Sequence, residues 1–278
     1  MEQFAAVARE AARKAGAILR ENINGVREIT YKGDINLMTE MDMRSERAIV
    51  ETLRAAFPKH GIIAEEETDL QNDSGFRWVI DPLDGTTNYA HGYPCFSVSI
   101  ALEHRDEVIV GVVYDPMRDE LFSAEQGSGA LLNGRKIRVS SVDTLIKSLL
   151  STGFPYDRKI SEKNNMDYFH DLLMASQEVR RDGSAALDLC AVAAGRFDGF
   201  WELKLKPWDV AAGSLIVREA GGVISDLAGK PVRLDAGEIL ASNGRIHGQM
   251  VQVLSKAATN AAGGMPPAPA LEGRLHGE

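Results

Sequence analysis

Apolar side chains recur every third or fourth residue at Phe4, Val7, Ala8, Ala11, Ala15, Ile18 and Leu19, with charged residues between them. That period predicts an amphipathic helix over residues 2–22, one face on a core. A strand-like stretch, Val26 to Tyr31, leads into the turn signal Lys32-Gly33-Asp34. Helical spacing resumes at Thr39, with Asp42 placed as in a capping box, and Pro58 and Gly61 end it, so a second helix is predicted over residues 39–57. Ile62-Ile63-Ala64 reads as a brief strand running into Glu65, Glu66 and Glu67, and a polar loop, Thr68 to Gly75, follows. Trp78-Val79-Ile80 then reads as a buried strand that stops at Asp81, because Pro82 has no N–H for a sheet ladder.

Beyond this point the period shortens to that of strands. Phe96–Glu103 and Val108–Tyr114 flank His104-Arg105-Asp106 as a hairpin. Leu121–Ala124 and Ile137–Val139 add strands, separated by Gly127-Ser128-Gly129 and Asn133-Gly134. The second half alternates: a strand over 148–151, helices over 161–176 and 183–194, and a strand over 197–201. A helix over 207–220 opens on Pro207 and stops at Gly221-Gly222. Strands over 223–225 and 239–242 and a last helix over 245–256 complete the pattern. It predicts an α/β (α+β) layered sandwich rather than a regular doubly wound sheet. One domain is expected over 1–257, with halves meeting near 145, and the Ala, Gly and Pro-rich residues 258–278 are expected to be a disordered tail.

Composition narrows the function. With 278 residues, 44% of them hydrophobic, the chain can bury one large core or two joined ones. A net charge of −9 argues against a nucleic-acid partner held by phosphate contacts, and no apolar run is long enough for a bilayer. The two cysteines, Cys95 and Cys190, make no disulfide framework, and together with an N-terminus that lacks a signal-peptide pattern they lead to a cytoplasmic expectation. An acidic protein that handles an anionic substrate has to reverse its local charge, which a bound cation would do.

The chemistry concentrates between Trp78 and Tyr89. Asp81 and Asp84 stand three residues apart where a buried strand meets solvent, and bare like charges there are costly. An oxygen-seeking divalent cation would relieve them, while Gly85, Thr86 and Thr87 offer amides and hydroxyls to an anion. The same letters also suit an acidic turn that caps a strand. Four other places could converge on this stretch. Glu65 ends a strand, though three adjacent glutamates also read as a solvated loop. Asp209 sits in the first turn of a helix, with Glu202 on the approach, and could simply complement the helix dipole. Arg180 to Ser184 supplies guanidinium and glycine at a helix start, or only a capped helix. Asp42 with Thr39 reads equally as a cap.

Together these residues resemble the inositol monophosphatase family of magnesium-dependent, lithium-sensitive phosphatases, most closely its bacterial inositol-1-monophosphatases. The resemblance rests on W-V-I-D-P-L-D-G-T-T-N-Y at 78–89 and P-W-D-V-A-A-G at 207–213 with E-A-G-G at 219–222. It is supported by T-x-x-D at 39–42, E-E at 65–66 and R-x-x-G-S at 180–184, and spans residues 5–255. It implies an αβαβα sandwich, a homodimer and two or more Mg²⁺ ions. By position, Glu65, Asp81 and the Leu83 carbonyl would hold one ion, and Asp81, Asp84 and Asp209 another. Thr86 paired with Asp42 would orient and help deprotonate the attacking water, with Glu65 also counted among the catalytic groups. Asp84 and the amides of Gly85 and Thr86 would meet the phosphate. Gly183, Ser184, Ala185, Glu202 and Asp209 would line the alcohol side, with Arg180 at its rim or at an interface.

The implied reaction is hydrolysis of a small phosphorylated polyol or sugar, inositol 1-phosphate foremost, by activated water without a phosphoenzyme. Fructose bisphosphatase or histidinol phosphatase activity on the same scaffold, or a regulatory binding role without turnover, are the alternatives. Departures are small: Ala64 where many members have Gly, Tyr89 for Phe, and Asp182 adding a carboxylate near the substrate side. A short loop between Glu65 and Asp81 is expected to open the pocket to larger phosphates. A haloacid-dehalogenase-like phosphatase would need D-x-D-G-T, and the spacing here is one residue longer.

Overall fold

The computed structural model of the chain describes residues 2–25, 29–31, 37–66, 68–72 and 74–262. The Lys32-Gly33-Asp34 turn, the start of the strand predicted from Val26, the Thr39 side chain and residues 263–278 lie outside the described residues.

The elements run α1 (Glu2–Asn22), β1 (Ile29–Tyr31), β2 (Leu37–Thr39), α2 (Glu40–Ala56), β3 (Gly61–Ala64), β4 (Asp69–Leu70), β5 (Phe76–Asp84) and α3 (Thr86–Ala90). Then come β6 (Ser97–His104), β7 (Glu107–Asp115), β8 (Glu120–Glu125), β9 (Gly129–Leu132), β10 (Arg135–Lys136) and β11 (Leu149–Thr152). The chain continues through α4 (Met166–Ala175), β12 (Glu178–Arg180), α5 (Ala185–Ala193), β13 (Gly199–Leu203), α6 (Pro207–Glu219), β14 (Val223–Ser225), β15 (Glu238–Ser242) and α7 (His247–Ala262).

Five layers result, the predicted αβαβα sandwich. The outer helices α1 and α2 bury Ala5, Ala8, Ala12, Ala15, Leu19, Ile49 and Leu53 against Trp78, Ile80 and Val98 of an eight-stranded sheet, ordered β10-β9-β8-β7-β6-β5-β3-β4. The middle helices α5 and α6 fill the space between that sheet and a five-stranded one, β12-β11-β13-β15-β14. Their approach is close at Gly111 of β7, where a Cβ would stand 2.6 Å from the Ala212 carbonyl oxygen. The small sheet's other face packs Leu150, Trp201 and Leu240 on Leu172 of α4 and on Met250 and Leu254 of α7. No helix among the described residues is long and apolar enough to cross a membrane.

Three sequence expectations change. The strand after Trp78 does not stop at Pro82: it runs to Asp84, and its pairing with β6 shifts from Asp81↔Ser99 to Asp84↔Ser97. One extra residue is thus accommodated as a bulge, which tolerates the missing donor of Pro82. The strand expected at 137–139 is absent, and the ladder instead uses β9 and β10, an antiparallel pair joined at Asn133-Gly134, where both residues adopt positive φ. The helix predicted from Ser161 begins only at Met166, after Asn165 has taken a left-handed conformation (φ 73°). The Asn165 side chain donates to the Gly153 carbonyl at 2.6 Å and accepts from Trp201 Nε1 at 2.7 Å, so it ties the preceding loop to the small sheet.

Candidate active site

The bulge decides where the carboxylates point. In an unbroken strand, residues three apart face opposite sides of the sheet. With one residue inserted, Asp81 and Asp84 sit opposite Ser99 and Ser97, which are two apart and share a face. The strand pairing brings a third carboxylate alongside. Strands β3 and β5 are parallel, with Ala64 opposite Ile80, and the Glu65 amide donates to the Ile80 carbonyl at 3.2 Å. Glu65 therefore leaves its strand beside Asp81, at the same end of the sheet.

Asp209 comes from the first turn of α6, whose Pro207 begins the helix. Its Oδ2 accepts the Lys206 amide at 2.6 Å, and its carboxyl is in hydrogen-bond contact with Asp81. Leu83 donates its amide to Asp81 Oδ1 at 2.9 Å. Asp84 Oδ2 accepts from Ser184 Oγ at 2.5 Å and from the Ala186 amide at 2.8 Å, so it also ties down the start of α5.

The crowding shows in the acidities. Burial, then the charges of Glu65, Asp84 and Asp209, hold the Asp81 carboxyl well above the usual carboxylate range. Burial pushes Asp84 up to about 6 against the hydrogen bonds from Ser184 and the α5 amides. Asp209 rises to about 7, with burial as the main cause, and Glu202 to about 8 through burial and the nearby Asp209 and Asp84. Such a cluster holds protons tightly and would give them up to a cation.

The donors are hard oxygens, the set that suits Mg²⁺, and they fit that ion in chemical type. Among the described residues no three acidic, histidine or cysteine side chains already stand at metal-ligand spacing. Asp81, Asp84 and Asp209 each have an oxygen engaged by a protein amide or hydroxyl.

Next to the cluster, Thr86 Oγ1 has two acceptors, Asp42 Oδ1 at 3.2 Å and the Leu83 carbonyl at 3.0 Å. Its one proton serves one of them at a time. Gly85, with φ 99°, precedes α3, and a Cβ there would come within 3.0 Å of the Cys95 carbonyl. Glycine suits both the left-handed backbone and the close approach at this entry to α3.

Two adjoining cavities surround these groups. The inner one, about 450 Å³, is lined by Glu65, Asp81, Leu83 and Thr86. The outer one, about 580 Å³, is lined by Gly183, Ala185 and Arg181, and Asp84, Gly85, Glu202 and Asp209 border both. Ser184 is buried behind the outer wall on Asp84. Arg180 lines neither cavity; it pairs with Glu178 at 3.7 Å.

Several positioning residues escape a reading by motif. Ser45 Oγ donates to the Pro82 carbonyl at 2.7 Å and so braces the bulge. Glu46 accepts the amides of Glu66 and Thr68 at 3.1 and 3.0 Å, which fixes the loop that carries Glu65. Asn88 Nδ2 bridges the Cys95 and Asp182 carbonyls at 2.8 and 2.7 Å, joining the α3 segment to the α5 approach. A signal for the first two was present. Asp42, Ser45 and Glu46 lie on the same helical stripe as the core residues Ile49 and Leu53, so polar groups were aimed at the interior.

Comparison with known proteins places this arrangement. Residues 1–259 match the model of the inositol monophosphatase family. The chain is 48% identical over 257 residues to the inositol-1-monophosphatase of Synechocystis, covering 92% of this chain and 90% of that protein. It is 45% identical over 243 residues to the Nus factor SuhB of Escherichia coli, covering 86% and 91%. Among solved structures, the inositol monophosphatase from Anabaena superimposes with a TM-score of 0.85 at 46% identity, covering 92% of this chain and 96% of that one.

Proposed function

The chain belongs to the inositol monophosphatase family, and from that premise we propose that it is a Mg²⁺-dependent phosphomonoesterase whose substrate is a small phosphorylated polyol or sugar, inositol 1-phosphate first among them. The observation that carries the reading is the bulge in β5, which turns Asp81 and Asp84 onto one face beside Glu65 and Asp209.

Glu65, Asp81, the Leu83 carbonyl, Asp84 and Asp209 would hold the ions. When bound, Mg²⁺ there supplies an activated water and neutralises charge on the phosphate and the leaving oxygen. The amides of Gly85 and Thr86 bind phosphate oxygens. Thr86 accepts a hydrogen bond from the attacking water while its own proton goes to Asp42, 3.2 Å away, so the pair orients the water and takes up its proton. The water oxygen bonds to phosphorus as the bond to the alcohol oxygen breaks; the departing oxygen takes a proton from solvent water, and Asp42 later returns the one it received to solvent. Glu202, Gly183, Ser184 and Ala185 shape the side on which the alcohol leaves.

The test is phosphate release by purified protein with Mg²⁺ across a panel of inositol, sugar and histidinol phosphates. Release that requires Mg²⁺ and falls with added lithium is expected; no release from any ester would overturn the proposal. The relatives named Nus factor favour a second reading, a regulatory role alongside the same fold. That reading would lead if an inactive variant still supported the regulatory phenotype of a deletion strain.

A further inference from the structure

Residues 153–165 join β11 to α4 without forming helix or strand, and Phe154 and Tyr156 among them border both cavities. The Tyr156 hydroxyl also reaches the side chain of Thr87, in the first turn of α3. A loop of this length keeps such a place only if it is fastened, because ordering each residue costs backbone entropy. Its two ends are tied to each other by Asn165, whose Nδ2 donates to Thr152 Oγ1 at 2.8 Å and to the Gly153 carbonyl at 2.6 Å.

The middle of the loop is held from outside by one side chain. Lys204 Nζ donates to Asp157 Oδ2 at 2.6 Å and to Ser161 Oγ at 2.7 Å. Both acceptors belong to a single turn, in which the amides of Ile160 and Ser161 bond to the Asp157 carbonyl at 3.0 Å. Lys204 itself stands just past β13, two residues after Glu202, with φ at 61°. A lysine is strained in that left-handed conformation, which glycine or asparagine adopts at lower cost. Nor does the ion pair offset the strain in overall stability, since the Lys204 and Asp157 side chains are 35% and 46% exposed and such pairs contribute little there. Backbone strain that stability does not explain points to function.

Lys204 also borders the inner cavity, together with Glu65, Asp81, Asp84 and Asp209, yet its ammonium is directed to the loop. We propose that Lys204 is a positioning residue of the site: it latches the 155–161 turn to the end of β13 and so keeps Phe154 and Tyr156 in the wall of both cavities, where they hold the bound ester in place. The same strand end carries Glu202 and leads into α6, whose first turn carries Asp209. The latch therefore fixes the loop to the segment that supplies two of the site's own carboxylates. The inference rests on the phosphomonoesterase reading above for its kinetic consequence, and the attachment of the loop is read without turnover.

Two substitutions separate the ammonium from the backbone. Lys204→Met removes the charge and keeps the strain; Lys204→Asn removes the charge and relieves the strain, so it folds even where the first does not. Hydrogen exchange of the full chain is followed by mass spectrometry over the peptide that holds Arg158, Ile160 and Ser161, whose amides are bonded inside the turn. Both variants should exchange there about 10-fold faster than wild type, the scale of a lost charge-assisted hydrogen bond, with the β6–β7 hairpin unchanged. The melting temperature of Lys204→Asn should hold or rise. Affinity for inositol 1-phosphate, by calorimetry with Ca²⁺ in place of Mg²⁺, should fall about 10-fold in both. With Mg²⁺, KM should rise alike while kcat stays within about 3-fold, and Lys204→Arg should restore both. Asp157→Asn combined with Lys204→Met should do no more than either alone. Unchanged exchange in the turn would overturn the latch, and with affinity lowered it would make the ammonium itself a contact of the phosphate. Faster exchange with affinity and KM unmoved would overturn the positioning role, as would additive effects of the Asp157 and Lys204 substitutions. Faster exchange and weaker binding in the variants, with no turnover by the wild type, would remove the hydrolytic reading and leave the latch standing.

Discussion

The inner and outer cavities share a wall but are built by opposite means. In the inner one the groups are deeply buried, Asp81 at 1% and Thr86 at 7% exposure, and the carboxylates are engaged by neighbouring amides and hydroxyls. Its geometry comes from backbone devices: a bulge, a parallel strand pair and a glycine with positive φ. The outer cavity is walled by Gly153, Arg158, Arg181 and the approach to α5, and the loop residue Tyr156, at 52% exposure, borders both cavities. The contrast separates two tasks. On the proposed reading, the rigid, engaged groups would treat every phosphate alike, whereas the more exposed side of the outer wall would tell one alcohol from another.

Substitutions can break that division. The largest effect is expected from Asp84→Asn. Asparagine keeps an acceptor for Ser184 and the Ala186 amide but removes the charge, so turnover should fall about 10³-fold or more for every ester. The thermal midpoint should hold or rise, because a carboxyl that burial forces up to about 6 is no longer confined. A loss that varied widely among substrates would contradict the separation of tasks. Thr86→Val should follow, lowering kcat about 10²-fold across the panel by the measure of general-base contributions, with Thr86→Ser restoring most of it.

How much of this was legible beforehand depended on whether the cause was local. The helices predicted over 2–22 and 207–220 follow from period and punctuation, and both appear nearly to the residue because their burial pattern is written in consecutive letters. The pairing of Asp81 with Asp84 was readable as a motif, but its geometry was misread. Pro82 looked like a stop, and only the partner strand, whose Ser97 and Ser99 take up the extra residue, shows a bulge. Glu65 could be placed at a strand end, yet whether it stood beside Asp81 hinged on parallel pairing, a tertiary fact. Arg180 and Arg181 are equivalent letters; the geometry of β12 sends the first to Glu178 and the second to the cavity. Short elements such as α3, β4 and β12 left no periodic trace.

The outer cavity can be tested where its wall meets the chemistry. Gly153 carries no side chain because Glu202 occupies that space: a Cβ would stand 2.1 Å from Glu202 Oε1. Gly153→Ala should therefore swing the Glu202 carboxylate aside while Asn165 still holds the local carbonyl. On the proposed assignment of Glu202 to the alcohol side, KM should rise about 10-fold with kcat changed less, the mark of binding shared by ground and transition states. A pure kcat effect would move Glu202 to the reacting side.

The smallest effect is on stability, and its sign follows from the acidities. Asp84, Asp209 and Glu202 are raised to about 6, 7 and 8, above their values in the unfolded chain, so between pH 4 and 8 the folded protein binds more protons. Stability of the metal-free protein then falls as pH rises through that window, by an amount on the order of a few kcal/mol in total. Melting in EDTA should show a midpoint that drops by several degrees between pH 5 and pH 8, about 2–4 °C per kcal/mol for a chain of this size. Added Mg²⁺ should restore more at pH 8 than at pH 5, because at low pH protons compete for the same oxygens. The proposed metal ligands and the proposed alcohol-side carboxylate should separate here as well. Glu202→Gln should flatten the slope in EDTA yet keep the Mg²⁺ response, while Asp84→Asn should weaken both. If Glu202→Gln abolished the Mg²⁺ response, the carboxylate assigned to the alcohol side would be a ligand, and the proposed division of roles would have to be redrawn.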